Sequence, residues 1–78
     1  MEIKLAMVYQ YDDNGVLKRN YITDKTSLDR NNRLLSLSDN VNHAKLLDDE
    51  IEVIEYLTKL NELSYLQNKR IVIEKVIV

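Results

Sequence analysis

Glycine occurs once in this chain and proline not at all, so the backbone has a single place where positive φ costs nothing. That place is Gly15, inside Asp12-Asp13-Asn14-Gly15. Asn-Gly between two strand-like runs is the strongest short hairpin signal, because both residues tolerate the left-handed region. The run before it alternates, with Ile3, Leu5, Met7, Tyr9 and Tyr11 on one side and Glu2, Lys4 and Gln10 on the other. A period of two marks a half-buried strand. Val16 to Ile22 is then the returning strand. A three-residue loop, Asp13-Asn14-Gly15 with a bulge at the glycine, sets Tyr11 opposite Leu17, Tyr9 opposite Arg19 and Met7 opposite Tyr21. That register is expected over the two-residue loop, which moves Lys18 and Asn20 opposite the apolar face.

The middle of the chain, Thr23 to Asn42, is rich in Asp, Asn, Ser and Thr. A short strand around residues 33–37 is expected, with a turn at Asp29-Arg30-Asn31-Asn32 that makes residues 27–37 a small hairpin or a surface loop. Ser38 or Asp39 can cap a single helical turn through His43 and Ala44.

From Asp48 to Leu63 the spacing predicts an amphipathic helix. Asp48 or Asp49 caps it, and with Asp49 as cap Glu52 completes a capping box while Glu50 complements the positive end of the dipole. Its apolar arc of Leu47, Ile51, Ile54 and Leu57 is expected to face the sheet. Asp48, Glu52, Glu55 and Glu62 cluster on the other side with Lys59, at about 100° per residue. Helix stability does not explain that clustering, since Glu55–Lys59 contributes only a few tenths of a kcal/mol and Glu52–Glu55 is slightly repulsive. A solvated face is the default reading of such a stripe; the functional alternative is a partner-binding surface of Asp48, Glu52, Glu55 and Glu62 whose electrostatic complement is a host protein with a basic surface.

Arg70 to Val78 reads as a closing strand with Ile71, Ile73 and Ile77 on one face and Val72, Val76 and Val78 on the other. A strand apolar on both faces belongs at a central position or an oligomer interface. Val72, Val76 and Val78 are the candidate oligomer interface, as in a homodimer, although a second short helix over that face serves equally.

With 78 residues, 45 % apolar and 31 % charged, the chain is expected to be one domain, residues 1–78, that folds and stays in solution. No run approaches the roughly 18 apolar residues of a membrane span, and the start lacks the basic and apolar segments of a secretory signal, so no membrane and a cytoplasmic site are expected. The absence of cysteine excludes disulfides and thiolate chemistry. One histidine without cysteine cannot supply the usual zinc ligands, and one glycine excludes the common phosphate loops. No calcium loop is present either, so no cofactor and no metal are expected. Asp12-Asp13 and Asp48-Asp49-Glu50 could in principle serve carboxylate catalysis, but a turn and a helix start account for both. His43 lies in no nucleophile motif, so no catalytic residue is assigned and the chain is read as no enzyme.

Residues 1–38 carry six Lys or Arg against five Asp or Glu, and residues 39–78 carry five against eight. Lys18, Arg19, Lys25, Arg30 and Arg33 gather near Tyr9, Tyr11 and Tyr21, the elements of a single-strand-binding face. The net charge of −2 weighs against nucleic acid as the partner.

Leu37-Ser38-Asp39, Ala44-Lys45-Leu46-Leu47-Asp48, Tyr56-Leu57, Leu60 and the closing strand Ile71–Val78 together resemble short accessory proteins of phages and prophages of Gram-positive bacteria. The likeness runs over half the chain, and such proteins often carry alanine where Ile51 stands here. The resemblance implies a product made inside a bacterial host that binds and inhibits or redirects a host protein, CRISPR-type and other defence nucleases among them. It transfers no functional residues. Together these readings give an α+β fold: a small two-layer domain with an N-terminal β-hairpin and an antiparallel sheet of three to four strands, one main helix packed on it.

Overall fold

The computed structural model describes residues 1–60 and 70–78. It is a small α+β arrangement: β1 (Ile3–Asp13), β2 (Val16–Ile22), β3 (Ser27–Asp29), β4 (Asn32–Leu34), β5 (Leu37–Ser38), a 3₁₀ turn at Val41–His43, β6 (Leu46–Leu47), α1 (Glu50–Leu60) and β7 (Arg70–Ile77). One sheet holds five of the strands and β3–β4 form a separate hairpin. All described pairings are antiparallel. Two of the five strands, β5 and β6, are only two residues long, which is why three to four strands are what the sequence pattern reveals.

β1 is the centre of the sheet. Along one edge it pairs with β7 from Ile3↔Ile77 to Gln10↔Arg70. Its other edge is shared, with β6 at Leu5 and Ala6 and β2 from Val8 onward. The odd residues of β1 face α1, and the core is Met7, Tyr9, Ile22, Leu47, Val53 and Leu60, with Leu28 and Leu35 from the second hairpin region packed against it. The hairpin expected over residues 27–37 is present but shorter, closing over residues 27–34 with Asp29 Oδ1 accepting from the Asn31 amide in its turn, and the strand expected around 33–37 is divided because Leu37 pairs with Ile22 in the main sheet. A polar web pins this hairpin to the end of β2: Thr23 donates to Ser36 Oγ at 2.7 Å, and Thr26 Oγ1 both accepts from the Ser36 amide and donates to its carbonyl. The cap of the 3₁₀ turn is Asn40, which accepts from the Asn42 amide. Ser38 supports that cap by accepting from Asn40 N.

The hairpin register differs from the expected one by one residue. Asp13 pairs with Val16, Tyr11 with Lys18 and Tyr9 with Asn20, so the loop is the two-residue Asn14-Gly15. Both residues are left-handed, at φ 54° and 84°. That is the primed turn whose twist matches the strands, and Asp12 reinforces it by accepting from the Gly15 amide at 2.8 Å. The polar residues it turns toward the core face find local partners: Asn20 donates to the Tyr11 hydroxyl at 3.0 Å, and Lys18 pairs with Asp13 at 3.0 Å. Turn geometry outweighed the alternation because these polar groups are satisfied where they stand.

The helix rotation differs as well. Val53 and Leu60 are buried and Tyr56 and Leu57 are half-buried, an i, i+3, i+4, i+7 set, while Ile51 and Ile54 point outward. Of the expected arc only Leu57 packs from within the helix, joined by Leu47 from β6. The end of the helix expected at Leu63 lies outside the described residues. The helix carries two apolar arcs, and pairing of Leu47 with Leu5 at its start decides which of them meets the sheet.

Two expected outcomes test these assignments. Leu60→Ala should cost about 2–5 kcal/mol in urea unfolding, as for a fully buried leucine, whereas Ile54→Ala should cost under about 1 kcal/mol; equal costs would mean the helix is rotated. Gly15→Ala should destabilise by about 1–2 kcal/mol through backbone strain alone, because its added Cβ meets nothing within 4 Å.

Candidate partner-binding surface

The acidic residues around α1 separate into different jobs. Asp49 Oδ1 accepts from the Glu52 amide at 2.9 Å, and Glu52 reaches back to accept from the Asp48 amide at 2.8 Å. This is the capping-box logic, with the return bond one residue ahead of the cap. Asp48 itself accepts from the Lys4 ammonium, which also pairs with Glu2. Asp48 and Glu52 are therefore held by the fold. Glu50 and Glu55 are exposed and make no ion pair or side-chain hydrogen bond with a described residue; Glu55 and Lys59 do not close on one another. Glu62 lies outside the described residues.

Between these carboxylates stands a surface that sequence reading assigned to the core. Ile51 and Ile54 are 68 % and 63 % exposed. Next to them a groove of about 330 Å³ runs between α1 and β7, floored by Leu5, Val53, Leu57 and Ile73, with Glu50 and Lys75 among its lining residues. It exists because α1 lies chiefly over β1 and β6, so that on the helix side of β7 only Ile71 packs against the core among the described residues. The signal was legible as a surplus: Val53, Tyr56, Leu57 and Leu60 already make a complete apolar arc, so Ile51 and Ile54 are one arc too many.

Val72, Val76 and Val78 lie on the opposite face of the sheet, where Val72 sits beside Val8 and Val76 beside Lys4. Val72 and Val78 are exposed and Val76 is half-buried. The middle of this face is closed by a polar strap. Glu74, on β7, accepts from the Tyr21 hydroxyl at 3.3 Å and from Arg19 at 3.2 Å, both on β2. These bonds cross over β1 at Ala6 and Val8, which are buried beneath them. Small side chains at those two positions leave the strap its room.

The basic cluster is dispersed. Lys18 and Arg19 are spent on Asp13 and Glu74, and Arg30 and Arg33 stand on the β3–β4 hairpin. His43 shares a 2.9 Å hydrogen bond with Ser38 at a polar cleft of about 430 Å³ that also includes Thr23, Asp24, Lys25 and Asn42. No described carboxylate holds the other ring nitrogen, and Ser38 already accepts from Asn40 N, so the pair ties β5 to the 3₁₀ turn. Among the described residues no three His, Cys, Asp or Glu converge as a metal site, and no helix is long and apolar enough to cross a membrane.

Lys4, Tyr21 and Tyr56 are each shifted upward. Lys4 is raised chiefly by its hydrogen bond to Asp48. Tyr21 is raised by burial and then by the Glu74 carboxylate, and Tyr56 by burial and then by Asp24. Thr26 acts weakly in the opposite direction, and the buried Tyr56 hydroxyl makes no hydrogen bond of ordinary geometry with a described residue; Lys45 Nζ lies 5.5 Å from the Tyr56 ring. A raised folded pKa means that the folded state holds its proton more tightly, so the associated stability is complete below the ordinary values of 10.0 and 10.5 and is lost as pH rises through the folded ones. The melting temperature should fall with pH only above about pH 10. Tyr56→Phe should soften that fall with no loss at neutral pH, since an unpaired hydroxyl contributes nothing when buried; an alkaline profile identical to the unsubstituted protein would refute the assignment.

Comparison with protein-family models, with curated proteins and with solved structures finds no match for this chain.

Proposed function

We propose that this protein is a non-enzymatic binding module that docks another protein on the outward face of α1. The observation that carries the reading is the exposure of Ile51 and Ile54 on a helix whose core side is already filled. Branched apolar side chains at full view on a short helix add nothing to folding, and exposed apolar patches rimmed by polar groups mark interaction sites. Glu50 and Glu55, free of ion pairs with described residues, flank the two isoleucines and define the chemistry of the partner: an apolar seat edged by lysine or arginine. The acids speed and orient encounter, and the isoleucines supply the buried contact. This modifies the acidic stripe as the docking element, since Asp48 and Glu52 belong to the helix cap and to Lys4 while Glu55 remains available.

The resemblance to phage accessory proteins supplies the setting, a bacterial cytoplasm in which the partner is a host protein such as a defence nuclease whose nucleic-acid groove is basic. In that setting the module inhibits by occupying the groove.

Affinity capture from a bacterial lysate tests the reading. Ile51→Ser with Ile54→Ser should weaken capture of the specific partner by roughly tenfold or more, and Glu55→Lys by a smaller, salt-dependent factor. All three positions are exposed, so circular dichroism and melting should stay near those of the unsubstituted chain. Capture that is indifferent to both changes would remove α1 from the function.

A further inference from the structure

β7 has one partner strand, β1, among the described residues, and its other edge is open. The backbone alternation says which groups that edge presents. Glu2 and Val78 exchange both amide bonds, at 3.0 and 2.9 Å, so in this antiparallel ladder the even residues of β7 bond inward to β1. The amides and carbonyls of Ile71, Ile73, Lys75 and Ile77 therefore point outward, unpaired with any described strand. Edge strands of this length are normally guarded by outward charges, proline or bulges. Here the only guard at mid-strand is Lys75, because Glu74 leans inward over Ala6 and Val8 to Tyr21 and Arg19.

We propose that two copies of this chain join by antiparallel pairing of β7 with β7, making one continuous sheet through the two molecules. The charges of the strand select the register. Among the symmetric registers, the one centred on Glu74 sets that carboxylate opposite itself, and the one centred on Lys75 sets two ammonium groups opposite each other; like charges directly opposed are unfavourable. The registers centred on Ile71, Val72 and Ile73 have neither conflict, and of these the one centred on Ile73 pairs the most residues of β7, from 70 to 76. It places Ile73 opposite its counterpart, Ile71 opposite Lys75, and Arg70 diagonal to Glu74 of the second copy, a favourable placement of opposite charges that leaves the bonds of Glu74 to Tyr21 and Arg19 in place. Ile71 and Ile73 of the added strand then lie on the helix side of the sheet, beside the bare groove, and its Val72 extends the valine face. A strand apolar on both faces is thereby accounted for on both. The inference uses β7 and is independent of the α1 docking face.

Sedimentation equilibrium of the full chain tests the pairing, with twice the 9.2 kDa chain mass expected. Lys75→Pro removes an outward donor and blocks the edge without touching a bond to β1, so it should give a folded monomer. The chain has no cysteine, and Ile73→Cys should therefore oxidise to a covalent dimer while Ile71→Cys should not, because only residue 73 meets itself. A monomeric unsubstituted chain, a dimer that survives Lys75→Pro, or cross-linking at residue 71 in preference to 73 would each overturn the proposal. The cysteine pair decides the matter even if the proline variant fails to fold, and an α1 variant that loses its partner while remaining dimeric separates this inference from the proposed function.

Discussion

The hydrogen-bond ladder of β1 is what the rest of the structure depends on. One edge of this strand pairs with the C-terminal strand through eight residue pairs, and the other is divided between β6 and β2. Its alternation then sorts the molecule into two sides. Met7 and Tyr9 face α1 and form the core with Leu47, Val53 and Leu60, whereas Ala6 and Val8 face the strap of Tyr21, Glu74 and Arg19. The pairing of residues 3–10 with residues 70–77 closes the chain from end to end. Such a contact, between segments far apart in sequence, is among the costliest in loop entropy.

The two sides of the sheet are finished by different physics. The α1 side is closed by apolar packing, with no charged group buried in its cluster. The other has no helix of its own among the described residues and protects its centre with a carboxylate held by a phenol and a guanidinium above two small side chains. Charged hydrogen bonds of this kind shield the backbone of β1 and leave the rim, Leu17 and Val72, open to solvent. Among the described residues few large side chains are buried, and the apolar surface left over collects on the outward face of α1 and along β7.

Several elements were legible from local pattern. The alternation of β1, the Asn-Gly turn, a hairpin after Thr26, the acidic helix start and the final strand all depend on neighbours a few residues apart, and those signals survive folding. The register of the first hairpin was not readable from alternation, because Asn20 and Lys18 found partners in Tyr11 and Asp13 that made an otherwise costly placement acceptable. The helix face was misread for a related reason: its sequence offers two apolar arcs of similar quality. The acidic stripe was visible as a cluster, yet the division of its members between cap, ion pair and free surface depends on Lys4, 44 residues from Asp48.

Where strands and helix form and where the chain turns follow from local sequence, because φ preference, capping and periodicity act over one or two turns of backbone. Only the tertiary structure decided which apolar residues are core and which are surface. Burial is a property of what lies opposite, and here β6, by placing Leu47 beside Leu5, rotates α1 so that Val53 and Leu60 go in and Ile51 and Ile54 stay out. The same placement leaves the outer edge of β7 without a described neighbour, a fact that no periodicity along the strand encodes.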